Sequence, residues 1–162
     1  MKRIFYFHGL ESQQGGHKID FLSSQCLVHA PQMLYAEKDT WAISKQKVAA
    51  SQPEIVVGSS MGGLMGLYSA YMQPIHLLLF NPALDRIPEY IPDWQCDGSE
   101  QKAKVRIILG KNDTEVSPHF TCEYLQKHNI KAEVKWLEIE HRIPLEVLKE
   151  SFEEFTKDFD LK

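Results

Sequence analysis

The chain has 162 residues, 43% hydrophobic and 25% charged, with a formal net charge of −4 and a pI near 6.0. That length suits one domain spanning residues 1–162, and the composition is that of a globular protein rather than a disordered one. Lysines and arginines are scattered, which argues against nucleic acid as a partner. No run of about 18 apolar residues is present to span a bilayer, and no leader-like segment follows the basic start, so membrane association is not expected and a cytoplasmic location is.

In chain order, apolar and β-branched runs predict strands over Arg3–His8, Cys26–Ala30, Glu54–Gly58, Ile75–Phe80, Val105–Leu109 and Ala132–Leu137. Helical patterns lie between them: a short one near His17–Ser24, then Thr40–Ala50, Met61–Tyr71, Pro118–His128 and Leu145–Phe159. This alternation predicts an α/β fold with about six mostly parallel strands and helices on both faces. Ser117 before Pro118 reads as a cap followed by proline at the first helical position, and Thr40 before Trp41 as a second cap. Leu145, Leu148, Phe152 and Phe155 recur at three and four, an apolar stripe that should lie on the sheet. Residues 81–104 carry Pro82, Pro88 and Pro92, too many for a long helix, and are too few for a full lid domain; Ile87, Tyr90, Ile91 and Trp94 could wall a small apolar pocket or equally pack as a loop over the sheet edge. Cys26, Cys96 and Cys122 are odd in number and widely spaced, which predicts reduced thiols. His119 and Cys122 lack two further ligands, so neither a metal nor any other cofactor is expected.

The chemistry concentrates in Gly58-Ser59-Ser60-Met61-Gly62, a Gly-x-Ser-x-Gly segment between a strand and a helix. On such a turn Ser60 is lifted above the sheet, Gly58 and Gly62 permit the close approach of their backbones, and the N–H of Met61 is left unpaired. A serine hydroxyl is a weak nucleophile until a base removes its proton, and the base needs an acid to hold its tautomer. His141 stands just past the sixth strand and is the preferred base among the seven histidines. Asp113 stands just past the fifth strand and is the preferred acid, with Glu115, Glu140 and Asp85 as alternatives. All would meet at the carboxyl edge of a parallel sheet. His8-Gly9 at the end of the first strand forms a supporting turn that aims the N–H of Leu10 at the oxygen served by Met61, completing an oxyanion hole. Gly15-Gly16 beyond it reads as a flexible loop, with no Walker spacing after it.

With Tyr6-Phe7-His8-Gly9, Gly58-Ser59-Ser60-Met61-Gly62-Gly63, Phe80-Asn81-Pro82-Ala83 and His141-Arg142 in place, the chain resembles the α/β-hydrolase superfamily, and more narrowly the YqiA-like small bacterial esterases. The resemblance implies a minimal hydrolase core with Ser60 as nucleophile, Asp113 as acid, His141 as base and the amides of Leu10 and Met61 as oxyanion donors. It departs from the pattern at Glu140-His141, where glycine usually precedes the histidine, and at Lys111-Asn112-Asp113. The expected activity is cleavage of small carboxylic esters or thioesters through an acyl-enzyme. A hydrolase-fold protein that binds without turnover, and a peptidase or acyltransferase with the same triad, are the alternative readings.

Overall fold

A computed structural model describes residues 1–10 and 15–161. Six strands form one parallel sheet in the order β2-β1-β3-β4-β5-β6, where β1 is Arg3–Phe7, β2 Leu27–His29, β3 Ile55–Ser59, β4 His76–Phe80, β5 Lys104–Gly110 and β6 Ala132–Leu137. Six α-helices accompany it: α1 His17–Gln25, α2 Lys38–Ser51, α3 Met61–Ala70, α4 Ile87–Tyr90, α5 Pro118–Lys127 and α6 Leu145–Asp158. No helix among the described residues is long and apolar enough to cross a membrane.

The period-two alternation of each strand separates two cores. Ile4, Tyr6, Val57, Leu78 and Phe80 pack with Leu22 of α1 and with Leu148, Phe152 and Phe155 of α6. Phe5, Phe7, Val56, Leu77 and Leu79 face the other way, toward Val48 of α2, Leu64 and Leu67 of α3, and Leu125 of α5. Because both faces are covered, the strands read as continuous apolar runs rather than as alternating ones.

The predicted strands and helices are present to within two residues at every end. Thr40 is not a cap: its N–H donates to Glu37 O at 3.1 Å, so it already lies inside the first turn of a helix whose cap position is Glu37. Ser117 does cap α5, its hydroxyl accepting from Phe120 N at 3.2 Å. The 81–104 segment is less irregular than expected, with single helical turns at Leu84–Arg86, Ile87–Tyr90 and Gly98–Glu100. Gly15 and Gly16 hold φ of 93° and 91°, backbone angles that glycine adopts without penalty, and Gly16 occupies the cap position of α1.

One charge sits inside the core beneath α6. Arg106 of β5 has a side chain only 2% exposed, beneath the rings of Phe155 and Phe159. Its Nη2 donates to Asp158 Oδ2 at 2.7 Å and to Glu133 Oε2 at 2.8 Å. The hydrogen bond from Arg106 holds the Asp158 carboxyl below its ordinary value of 3.8. A depressed folded-state pKa stabilises the fold above the unfolded value, and the contribution is lost as pH falls through the folded value. Asp158→Asn is therefore expected to melt below the wild type at neutral pH, with the gap closing as both are acidified through the carboxylate range. Thermal melts across that range check it, and a gap independent of pH would contradict it.

Candidate active site

The strand order reverses direction between β1 and β3, since β2 lies on one side of β1 and all later strands on the other. Chains leaving β1 and β3 consequently depart to opposite faces, and a crevice opens at their carboxyl ends. A cavity of about 620 Å³ lies there, lined by Gly9 and Leu10 after β1, Ser59 at the end of β3 with Ser60 and Met61 after it, and His141 after β6.

Ser60 has φ 57° and ψ −117°, an uncommon conformation for a residue with a side chain. The surrounding backbone holds it there: Ser60 N donates to Phe80 O at 2.9 Å, and Ser60 O accepts from Leu64 N at 3.1 Å and Ala83 N at 3.0 Å. The neighbouring glycines are required by contact distance. A Cβ on Gly62 would stand 2.0 Å from Phe7 O and 2.7 Å from His8 O, and one on Gly58 would stand 2.2 Å from Gly62 O. As the first residue of α3, Met61 presents an N–H with no acceptor in its own helix.

Ser60 Oγ lies 2.8 Å from His141 Nε2, and His141 Nδ1 lies 2.8 Å from Asp113 Oδ2. A neutral imidazole that donates from Nδ1 to the carboxylate leaves the Nε2 lone pair facing the serine hydroxyl. Asp113 is buried, and its other oxygen, Oδ1, accepts from the N–H groups of Glu115 and Val116, both at 2.9 Å. The carboxylate is thus fixed at both oxygens. Among the alternative acids, Glu115 is exposed, and its Oε2 approaches Nε2 of His141 at 3.7 Å rather than Nδ1. Glu140 meets the site through its backbone carbonyl, and Asp85 makes no contact with His141 among the described residues.

His8 is buried and organises the turn before Leu10. Its Nε2 accepts from Met33 N at 2.8 Å, which leaves Nδ1–H to donate to Gly9 O at 2.6 Å. The Tyr35 hydroxyl donates to His8 O, and Trp41 Nε1 donates to Tyr35 O at 3.0 Å. Burial holds the Tyr35 hydroxyl well above its ordinary pKa, so it remains a donor. The sequence reading did not anticipate this clamp from residues 33–41, because nothing in their spacing distinguishes them from an ordinary connection. Residues 11–14, which follow Leu10, lie outside the described residues.

Of the four aromatic and aliphatic residues expected to wall a pocket, Tyr90 lines the cavity. Ile87 and Ile91 are buried in the core instead, and Trp94 packs on Tyr68 and Tyr71. Within this segment Tyr90 meets Trp41 of α2, Trp94 meets Tyr68 of α3, and Ile87 and Ile91 join the same core, so most of its apolar side chains are buried away from the cavity.

Asn81 has a positioning role that its motif did not reveal. Buried, with φ 41°, it accepts from Gly110 N through Oδ1 at 2.8 Å and donates through Nδ2 to the carbonyls of His141 at 3.0 Å and Glu140 at 3.3 Å. One amide side chain thereby ties the exit of β4 to the loops that carry Asp113 and His141. Asn81→Ala is expected to cost about 2–4 kcal/mol by leaving a buried N–H and two carbonyls short of partners. It should also lower turnover by about 10²-fold through misplacement of His141. Asn81→Asp, which keeps the acceptor but sets a carboxylate against two carbonyls, should not restore it. Denaturant unfolding and ester kinetics on both variants measure these effects.

No protein-family model and no curated protein sequence matches the chain. Solved structures do resemble it in three dimensions. Est1E from Butyrivibrio proteoclasticus superposes with a TM-score of 0.71 at 16% identity, covering 99% of this chain and 89% of that one. A monoacylglycerol lipase from Paleococcus ferrophilus gives 0.66 at 14%, covering 92% and 94%. The capsule O-acetyltransferase of Neisseria meningitidis serogroup A gives 0.66 at 16%, covering 97% and 87%. With its parallel sheet, its strand-turn-helix serine and these structural likenesses, the chain has the α/β-hydrolase fold.

Proposed function

We propose that this protein is a serine hydrolase that cleaves small carboxylic esters or thioesters through an acyl-enzyme intermediate. The observation that carries the reading is the hydrogen-bonded series Ser60 Oγ, His141 Nε2, His141 Nδ1, Asp113 Oδ2, with both links at 2.8 Å. In this reading Ser60 Oγ attacks the carbonyl carbon while His141 takes the hydroxyl proton. The oxyanion that forms accepts from the amides of Leu10 and Met61, both on the cavity wall. The carbonyl reforms as the alkoxide or thiolate leaves with the proton from His141, and a water activated by the same imidazole then releases the acid and frees Ser60. The short 81–104 segment covers little of the cavity, in keeping with small acyl groups and with the narrower resemblance to YqiA-like esterases.

Labelling with a fluorophosphonate probe, followed by peptide mapping, tests the assignment. Adduct on Ser60 in the wild type and none in Ser60→Ala is expected, together with Ser60-dependent hydrolysis of para-nitrophenyl butyrate. A folded wild type without adduct or hydrolysis would favour binding without turnover. The likeness to an O-acetyltransferase favours a second reading, in which an acceptor hydroxyl replaces water in the second step; acyl transfer to added alcohols at the expense of hydrolysis would support it.

A further inference from the structure

We infer that the ester accepted by this site carries an anionic group, a carboxylate or a phosphate, bound by Lys18 and Arg142. The inference rests on the serine-hydrolase reading and specifies the substrate class within it.

The protein as a whole is negative, with a net charge of −4, yet among the described residues the cavity at Ser60 is lined by three cations, Lys18, Arg86 and Arg142, and one carboxylate, Glu115. Arg86 is engaged with Glu89 at 3.1 Å. Lys18 and Arg142 have no ion-pair partner among the described residues. They are also close enough to act on one another: burial first, then the Arg142 charge, lowers the pKa of the half-buried Lys18. Two cations that line one cleft without an ion-pair partner among the described residues repel one another, and an anion bound at both offsets that repulsion while gaining charge-assisted hydrogen bonds.

Their placement suits a substrate contact. Arg142 is the residue after His141, and Lys18 is the second residue of α1, which starts immediately after the positive-φ pair Gly15-Gly16. Glu115 shares the cavity lining, with Oε2 3.7 Å from His141 Nε2, where it disfavours an anion at the reacting centre itself. The cavity is therefore polarised, with negative charge beside the histidine and positive charge at Lys18 and Arg142, and an ester with one charged end has one favoured orientation in it.

The test compares kcat/KM for matched substrates at low salt. Mono-4-nitrophenyl glutarate against 4-nitrophenyl butyrate places the charge on the acyl side as a carboxylate. The butyryl ester of glycerol 3-phosphate against monobutyrin places it on the leaving side as a phosphate. One anionic substrate is expected to exceed its neutral partner by about tenfold, the size of one or two charge-assisted contacts. That ratio should fall toward one in Lys18→Gln and Arg142→Gln, persist in Lys18→Arg and invert in Lys18→Glu, and high salt should narrow it in the wild type. Ser60-dependent turnover with ratios near one in both arms, or ratios unaffected by these substitutions, would overturn the inference and leave the serine-hydrolase reading standing. Absence of Ser60-dependent turnover for every ester, with no fluorophosphonate adduct, would overturn that reading itself.

Discussion

Alanine at Ser60 is expected to lower kcat for a para-nitrophenyl ester by about 10⁴–10⁶-fold, because no other hydroxyl among the described residues stands at His141 Nε2 and the residual rate comes from the oxyanion donors and binding alone. Asp113→Asn should cost about 10⁴-fold by a different route, since an amide turned to donate toward Nδ1 favours the tautomer that carries its proton on Nε2. If the three residues act as a unit, Ser60→Ala and the double variant Ser60→Ala/Asp113→Asn will have nearly the same rate. Additive losses would mean that they do not. Stability should move in a direction of its own. Ser60 is held at φ 57°, a conformation costly for any residue with a Cβ, so Ser60→Gly is expected to melt above Ser60→Ala although both are inactive. Parallel thermal melts and steady-state ester kinetics on the wild type and the four variants measure both effects.

Gly62→Ala should be the most destabilising methyl addition at the site. Its Cβ would stand 2.0 Å from Phe7 O and 2.7 Å from His8 O, both backbone atoms of the strand end that leads to the oxyanion turn. A flexible side chain can swing aside, but these carbonyls cannot, because the His8 carbonyl is held by Tyr35 and the Phe7 strand is paired with β3. The strain is relieved by separating α3 from β1, which opens the core around Phe7 and Leu64 and moves the Leu10 amide away from that of Met61. We expect a loss of about 3 kcal/mol or more in denaturant unfolding, beyond the usual cost of overpacking, with turnover lost in whatever fraction remains folded. Gly66→Ala offers the contrast within the same helix. Its Cβ would meet the tips of Leu79 and Val56 side chains at 3.0 Å and 3.3 Å, which can adjust, so that variant should fold.

How far a feature could be read in advance follows from the range of the interaction that creates it. The six strands were legible because a parallel sheet covered on both faces buries every position of a strand, and runs such as Ile55-Val56-Val57 record that directly. The strand-turn-helix at Ser60 was legible because the turn brings Gly58 against the backbone of Gly62 four residues on, whereas the need for glycine at 62 itself comes from Phe7 and His8 at the end of β1. Ser117 was legible as a cap because its partner is three residues away. His141 and Asp113 were nominated by their positions just past predicted strands, and the hydrogen bonds that join them to Ser60 are a property of the folded sheet.

What depends on distant segments left no such mark. The Thr40 cap failed because the turn from Leu34 to Glu37 starts the helix earlier than its local signals suggest. Ile87, Ile91 and Trp94 pack against α2 and α3 rather than the cavity, a choice between two apolar surfaces that composition does not decide. Arg106 interrupts an apolar run and yet is buried, which required Glu133, Asp158 and two phenylalanines from the sheet's last strand and the terminal helix and its end. Asn81 reaches 59 and 60 positions along the chain to the His141 loop, and His8 is locked by Met33 and Tyr35, 25 and 27 positions away. By itself the sequence determined the element types, the sheet class and the reactive turn, all products of backbone sterics and hydrophobic periodicity over short spans. Only the tertiary structure decided how the site is braced and charged, because those contacts exist only once chain closure has brought residues dozens of positions apart within hydrogen-bonding distance.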